Sequence, residues 1–108
     1  MKEKEIVNAL AALAQESRLA IFRLLVHHVP DGLTVGVIAE QLNLQAPTLS
    51  FHLKTLSHAG LVNTVQEGRF VRYRADMSRI HELISCLTDQ CCGGHPELCS
   101  PHQYKESN

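Results

Sequence analysis

A chain of 108 residues with 44% hydrophobic and 5% aromatic residues and no Trp supports one small domain with an aliphatic core. No stretch approaches a membrane span, and the N-terminal MKEKEIVNALAALAQ lacks the apolar run of a secretory signal, so a cytoplasmic protein with no membrane partner is expected. The net charge of −1 excludes a uniformly basic nucleic-acid binder, yet it divides unevenly. Residues 1–44 carry four Lys/Arg against five Asp/Glu, residues 45–80 carry five against two, and residues 81–108 carry one against four.

In chain order, EIVNALAALA places Ile6, Leu10 and Leu13 at helical spacing. Ser17 is a candidate cap for a second helix, with Leu19, Phe22 and Val26 on one face. The segment VPDG (29–32) reads as a turn. Thr34 can cap a short third helix ending at Leu42, with Val35, Ile38, Ala39 and Leu42 apolar, and Asn43 suits a left-handed helix end. A fourth helix restarts near Ala46 with Pro47 in its first turn and runs to about Ala59, closed by Gly60. Leu49, Leu53 and Leu56 point inward on it; Thr48, Phe51, Lys54 and Thr55 point outward, with Ser50 and His52 on the flanks. Phe51, an outward aromatic, contacts a thymine methyl or packs against the third helix, and packing is the expectation. LVNTVQEGRFVRYRAD is β-rich around Glu67-Gly68 and predicts a hairpin. Asp76 or Ser78 can cap a last helix whose stripe is Ile80, Leu83, Ile84 and Leu87.

Two short helices joined by about three residues, followed by an Arg-rich hairpin, describe a mainly α winged helix-turn-helix domain over residues 1–90, with a cysteine-bearing tail over 91–108. In such a domain the second helix of the pair enters the major groove and the hairpin reaches the flanking backbone. Arg69, Arg72 and Arg74 supply phosphate attraction, and Lys54 and Thr55 lie on the outward face of the fourth helix. The plain alternative is an amphipathic helix with a solvated polar face; the ordered combination of turn, helix, Gly-Leu-Val and basic hairpin favours DNA.

LAQESRLAIFRLL, SFHLKTLSHAGLV and EGRFVRYRA resemble the ArsR/SmtB repressors, dimeric winged-helix proteins that leave DNA on binding a metal or metalloid. The resemblance covers about residues 5–88. It implies that Gln45, Thr48, Ser50 and His52 contact an operator, that Arg69 lies in the wing, and that the first and last helices form a homodimer interface. A dimer implies an operator with an inverted repeat.

Effector sites differ within that family. The Cys-x-Cys pattern of the arsenic site on the third helix has no counterpart in TVGVIAEQL. A zinc site on the last helix would draw on Asp76, His81 and Glu82 but lacks a second His pair, and Asp76 reads better as a cap. Three of the four cysteines instead stand in CCGGHPELC (91–99), in a compartment where thiols stay reduced. Cys91-Cys92-x6-Cys99 resembles the vicinal pair plus third Cys that some arsenic-responsive members carry beyond the last helix. Trivalent arsenic takes three thiolates in a shallow pyramid, and as a soft centre it prefers sulfur to imidazole or carboxylate. Gly93-Gly94 supplies a permissive backbone for Cys99 to fold back. Zinc or cadmium through Cys91, Cys92, His95 and Cys99 is the alternative effector, and oxidation of the adjacent thiols is another. Cys86, inside the last helix, is expected to be apolar filling.

An enzyme is not expected. A phosphatase-like thiol reductase needs Cys-x5-Arg, and no Arg follows Arg79; a thioredoxin-like Cys-x-x-Cys is missing too. A metal-trafficking protein would leave Arg69, Arg72 and Arg74 without a purpose.

Overall fold

In the computed structural model, residues 1–89 are described. They form α1 (Glu3–Leu13), α2 (Glu16–Val26), β1 (Leu33–Thr34), α3 (Val35–Leu42), α4 (Ala46–His58), β2 (Val62–Glu67), β3 (Phe70–Ala75) and α5 (Met77–Leu87). This is the expected winged helix-turn-helix. The boundary with the tail, placed after residue 90, lies outside the described residues.

The core is aliphatic. Ile21, Leu25, Ile38, Leu49, Leu53, Leu56 and Leu61 are fully buried, with Phe22 as the one aromatic beside them. The inward Leu49, Leu53 and Leu56 of α4 are all there, as their spacing predicts. The stripe of α2 departs from expectation, and α1 buries its small residues. In α1 the buried residues are Ala9 and Ala12, whereas Leu10 is exposed and Ile6 and Leu13 are only partly covered. In α2 they are Ile21, Phe22 and Leu25, whereas Leu19 is exposed. Alanine allows the close approach of α1 to α2 and α4, so the small residues take the inward face and the larger ones are displaced outward.

Caps explain the helix limits. Gln15, not Ser17, starts α2: its side-chain oxygen accepts the Arg18 N–H at 2.8 Å. Asn43 adopts φ 53° and ψ 50°, which lets the Leu44 N–H reach back to the Ala39 carbonyl at 3.0 Å and ends α3 sharply. Thr34 stands at the N-cap of α3 without a side-chain capping bond, because it already belongs to β1. Asp76 caps α5, accepting from the Arg79 N–H at 3.1 Å and the Ser78 hydroxyl at 2.7 Å.

The hairpin gains a third strand. The order is β1-β3-β2, antiparallel throughout, with Leu33 opposite Tyr73 and Val62 opposite Ala75. Gly32, at φ +78°, brings β1 so close to β3 that a Cβ there would overlap the Tyr73 carbonyl. At the tip Glu67 pairs with Phe70, so the connection is the two residues Gly68-Arg69, with Gly68 at φ +62°. At the base the Asp76 N–H bonds the Leu61 carbonyl at 2.8 Å. The wing is thereby rooted in the core immediately after α4.

Candidate nucleic-acid interface

The turn over residues 43–45 sets α4 against α3 with its Leu face inward, and this leaves a continuous polar face outward. Gln45, Thr48, Ser50, Phe51 and Lys54 are exposed on or just before α4; His52 and Thr55 are half-buried on its flanks. Gln45 occupies the N-cap position without using its side chain to cap, and no acidic residue stands in the first turn. The unpaired N–H groups of that turn therefore face solvent with the positive end of the helix dipole. Thr55 spends its hydroxyl on the Phe51 carbonyl at 3.2 Å, within its own helix.

Phe51 does not pack against α3. It is 65% exposed, its ring 6.0 Å from that of His52 at a tilt of 58°. The turn into α4 rotates this residue onto the outward face, so an apolar ring stands among hydroxyls.

The wing is less free than its composition suggests. Arg72 is engaged twice, by Glu67 Oε1 at 3.1 Å and by the Gly32 carbonyl at 3.3 Å, and Arg74 bonds Asn63 Oδ1 at 3.1 Å. Arg69 sits in the turn itself, exposed, with no hydrogen-bond or ion-pair partner among the described residues. Phe70 beside it is 64% exposed and carries no expectation from sequence, since a single aromatic in a strand gives no signal of which way it faces. An exposed Arg–Glu pair such as Arg72–Glu67 is worth ~0–1 kcal/mol, little enough for a phosphate to replace.

A second polar connection was not legible beforehand. Arg18, on α2, reaches the Ala12 carbonyl with Nε at 2.6 Å and His52 Nδ1 with a terminal nitrogen at 3.4 Å. His52 is therefore tethered on the side that faces α2.

Elsewhere α5 is tied to α1 and the N-terminus. The N-terminal amine meets Glu82 Oε2 at 3.2 Å, which raises its pKa, and Arg79 lies 3.6 Å from Glu5 and 3.8 Å from Glu82. Glu5 is also held by the Lys2 N–H, which keeps its carboxyl below the usual range. Arg79 also covers Gly60, where a Cβ would stand 2.9 Å from its Nε. Val7 and Leu10 on α1 and Ile84 and Leu87 on α5 are 41–56% exposed, apolar side chains left without cover.

Asp76 is occupied as a cap and Glu82 by two cations, which leaves His81 alone among the three α5 residues considered for zinc. Among the described residues no group of three His, Cys, Asp or Glu side chains could hold a metal ion together. Cys86 is half-buried, its sulfur 3.8 Å from the N-terminal amine, rather than enclosed in the core. Cys91, Cys92 and Cys99 lie outside the described residues.

A fold of this kind, with a polar face on α4 and a basic wing tip, defines a winged helix-turn-helix DNA-binding protein. A family model described as a helix-turn-helix domain matches residues 13–65. The transcriptional activator HlyU of Vibrio cholerae is 35% identical over 86 residues, covering 80% of this chain and 77% of that protein. Its solved structure superposes with a TM-score of 0.66 at 33% identity, covering 85% of this chain and 99% of that one. An ArsR-like transcriptional regulator from Rhodococcus sp. RHA1 gives a TM-score of 0.67 at 25% identity, over 91% and 95% of the two chains. A homodimeric winged helix-turn-helix domain from Mycobacterium bovis, a possible ArsR-family regulator, gives 0.64 at 29%, over 81% of each. Two further relatives, each 28% identical, are the transcriptional repressor SdpR of Bacillus subtilis and a biofilm growth-associated repressor of Xylella fastidiosa. The chain belongs to the ArsR-like family of winged helix-turn-helix transcriptional regulators.

Proposed function

We propose that this regulator is a homodimeric repressor that binds an inverted-repeat operator and releases it when trivalent arsenic binds Cys91, Cys92 and Cys99. The observation that carries the reading is the placement of a three-thiolate set in sequence, its first Cys four residues beyond Leu87, the last residue of the helix that contacts α1. Repression follows the relatives named as repressors, and dimerisation follows the homodimeric relative and the uncovered residues Val7, Leu10, Ile84 and Leu87.

In this reading Gln45, Thr48, Ser50, His52, Lys54 and Thr55 meet the major groove, and Arg69 meets a phosphate beside it, with Arg72 released from Glu67 to do the same. A ligand that closes the tail pulls on α5. Arg79, which covers Gly60 and pairs with Glu5, passes that displacement both to the end of α4 and to α1. A single coupling is typically ~1–3 kcal/mol, whereas emptying a nearly full operator takes ~5.5 kcal/mol of differential binding. Two sites per dimer, each near the upper end of that range, meet that requirement together.

The test is operator anisotropy under arsenite, with a phosphine reductant that does not bind arsenic, on DNA selected from a random pool by the full chain. A chain ending at Gln90 is expected to bind that DNA and ignore arsenite, and Cys91→Ser, Cys92→Ser and Cys99→Ser to do nearly the same. Release of the truncated protein at the wild-type arsenite concentration sinks the assignment. Release by zinc or cadmium but not arsenite selects the alternative metals, and release on removing the reductant, without any metal, selects the thiol switch.

A further inference from the structure

Arg18 bridges three helices. It belongs to α2, where its N–H is held by the Gln15 side chain at 2.8 Å, yet its guanidinium leaves that helix for the Ala12 carbonyl of α1 and Nδ1 of His52 on α4. The 2.6 Å bond to Ala12 fixes the plane of the guanidinium and leaves a terminal nitrogen for the imidazole. The same group borders a cleft of about 330 Å³ between α1, α2 and α4, lined also by Asn8, Thr55 and His58 but by no carboxylate. Within that lining no acidic group competes with the imidazole for Arg18. On its other flank the His52 ring leans on Phe51, so it is braced from two directions.

Chemistry then decides the state of the ring. A guanidinium has donors only and keeps its proton at any pH a folded protein meets. An Nδ1 that accepts from it leaves the single proton of a neutral ring on Nε2. An imidazolium would set N–H against N–H at this contact.

We propose that Arg18 is a positioning residue of the DNA interface: it fixes His52 as the neutral Nε2–H tautomer, so that His52 presents a hydrogen-bond donor to DNA. This rests on the assignment of His52 to the interface made above. A fixed donor selects acceptors, namely a phosphate oxygen, guanine N7 or O6, adenine N7 or thymine O4, and rejects the cytosine amino group. A base acceptor gives discrimination between operator and random duplex; a phosphate acceptor strengthens both alike.

The experiment uses the full chain, labelled with 15N, and reads imidazole tautomers by long-range 1H–15N correlation, with the His52 signals assigned by their loss in His52→Ala. Wild-type protein is expected to show unprotonated Nδ1 and protonated Nε2. Arg18→Met and Arg18→Lys are both expected to give mixed tautomers, and Arg18→Met to weaken operator binding roughly tenfold, the scale of one hydrogen bond. Circular dichroism and the dimer mass verify that each variant is folded. A proton on Nδ1 in the wild-type protein overturns the proposal without any variant. So does Arg18→Lys if it restores full affinity while the tautomers stay mixed, because charge alone would then account for Arg18. If His52→Ala binds the operator normally, the reading of His52 as a DNA contact falls and the proposal falls with it. A failed tautomer result leaves that reading standing.

Discussion

The helix-turn-helix half and the α1/α5 half of this domain spend their apolar residues differently. In α3, α4 and the root of the wing the large aliphatics turn inward, and Ile38, Leu49, Leu53, Leu56 and Leu61 are sealed from solvent. In α1 and α5 the inward positions go to Ala9, Ala12 and Leu83, while Val7, Leu10, Ile84 and Leu87 remain half in water. The first half is finished as a folding unit and leaves a mostly polar face outside, Phe51 and Val37 excepted. The second half is finished as a folding unit too, but carries a surplus of apolar surface that the described residues do not bury. A DNA reader needs the first arrangement, because a rigid Leu face aims a polar one. A dimerising, tail-bearing regulator needs the second.

The largest expected effect tests the finished half. Leu53→Ala removes a fully buried side chain from the helix that would meet DNA, and deletions of this kind cost ~2–5 kcal/mol. Urea denaturation at fixed protein concentration is expected to show a loss in that range. A loss below about 1 kcal/mol would mean that α4 is not anchored by its Leu face.

The surplus half predicts the opposite pattern. Ile84→Ser with Leu87→Ser removes two exposed apolar side chains, so chain stability outside the dimer is expected to change by no more than about 0.5 kcal/mol per site. Sedimentation equilibrium is expected to show a weakened dimer, and operator binding to fall with it. A monomeric fold destabilised as much as by Leu53→Ala would erase the distinction between the two regions.

Within the DNA-facing half a finer contrast separates two arginines of the wing. Arg69 stands in the turn without a partner among the described residues, whereas Arg72 is already shared between Glu67 and the Gly32 carbonyl. Arg69→Ala is expected to lower the slope of log affinity against log salt by about two per dimer, the signature of one lost phosphate contact in each subunit. Arg72→Ala is expected to lower it by less, because part of its charge is satisfied before DNA arrives. Equal slopes for the two variants would show that the Glu67 pair opens at no cost.

How far this division was legible follows from the residues themselves. The α4 stripe, the left-handed Asn43, the Asp76 cap and the hairpin were readable because each rests on spacing or on a conformational need that few residue types meet. The apolar stripe of α1 was legible by its spacing, but not that Ala9 and Ala12 take the inward face, because hydrophobicity ranks Leu10 above Ala9 whereas close helix packing ranks them the other way. Gln15 was passed over as a cap because Ser17 is the commoner type. The two-residue β1 is too short to carry a period, and its pairing to Tyr73 and Arg72 exists only through the fold. Among the candidate contact residues the outward positions of α4 were legible as a face. What holds them was not: the Arg18–His52 contact joins residues 34 apart in sequence, and Phe51 turned out exposed where packing was expected.

The smallest expected effect concerns the joint between the halves, where Asp76 ends the wing and begins α5. Its carboxylate accepts from the Ser78 hydroxyl and the Arg79 N–H, and these bonds, the Ser78 one foremost, hold its pKa below the usual carboxylate value despite partial desolvation. Because the folded state favours the charged form, this contribution is fully present above the unfolded pKa, and it is lost as pH falls through the ordinary value of 3.8 toward the lower folded one. Asp76→Asn keeps an oxygen at the N-cap, and Asn caps about as well as Asp, so the cost at neutral pH is expected to be under about 1 kcal/mol. The useful quantity is the difference between wild type and variant, measured by urea denaturation at pH 7 and again at pH 3, since other carboxylates titrate in both proteins and cancel. That difference is expected to shrink at the lower pH. A difference that is the same at both would mean that the carboxylate charge does not hold the start of α5, and that the helix carrying the tail is fixed by Arg79 and the N-terminal contacts instead.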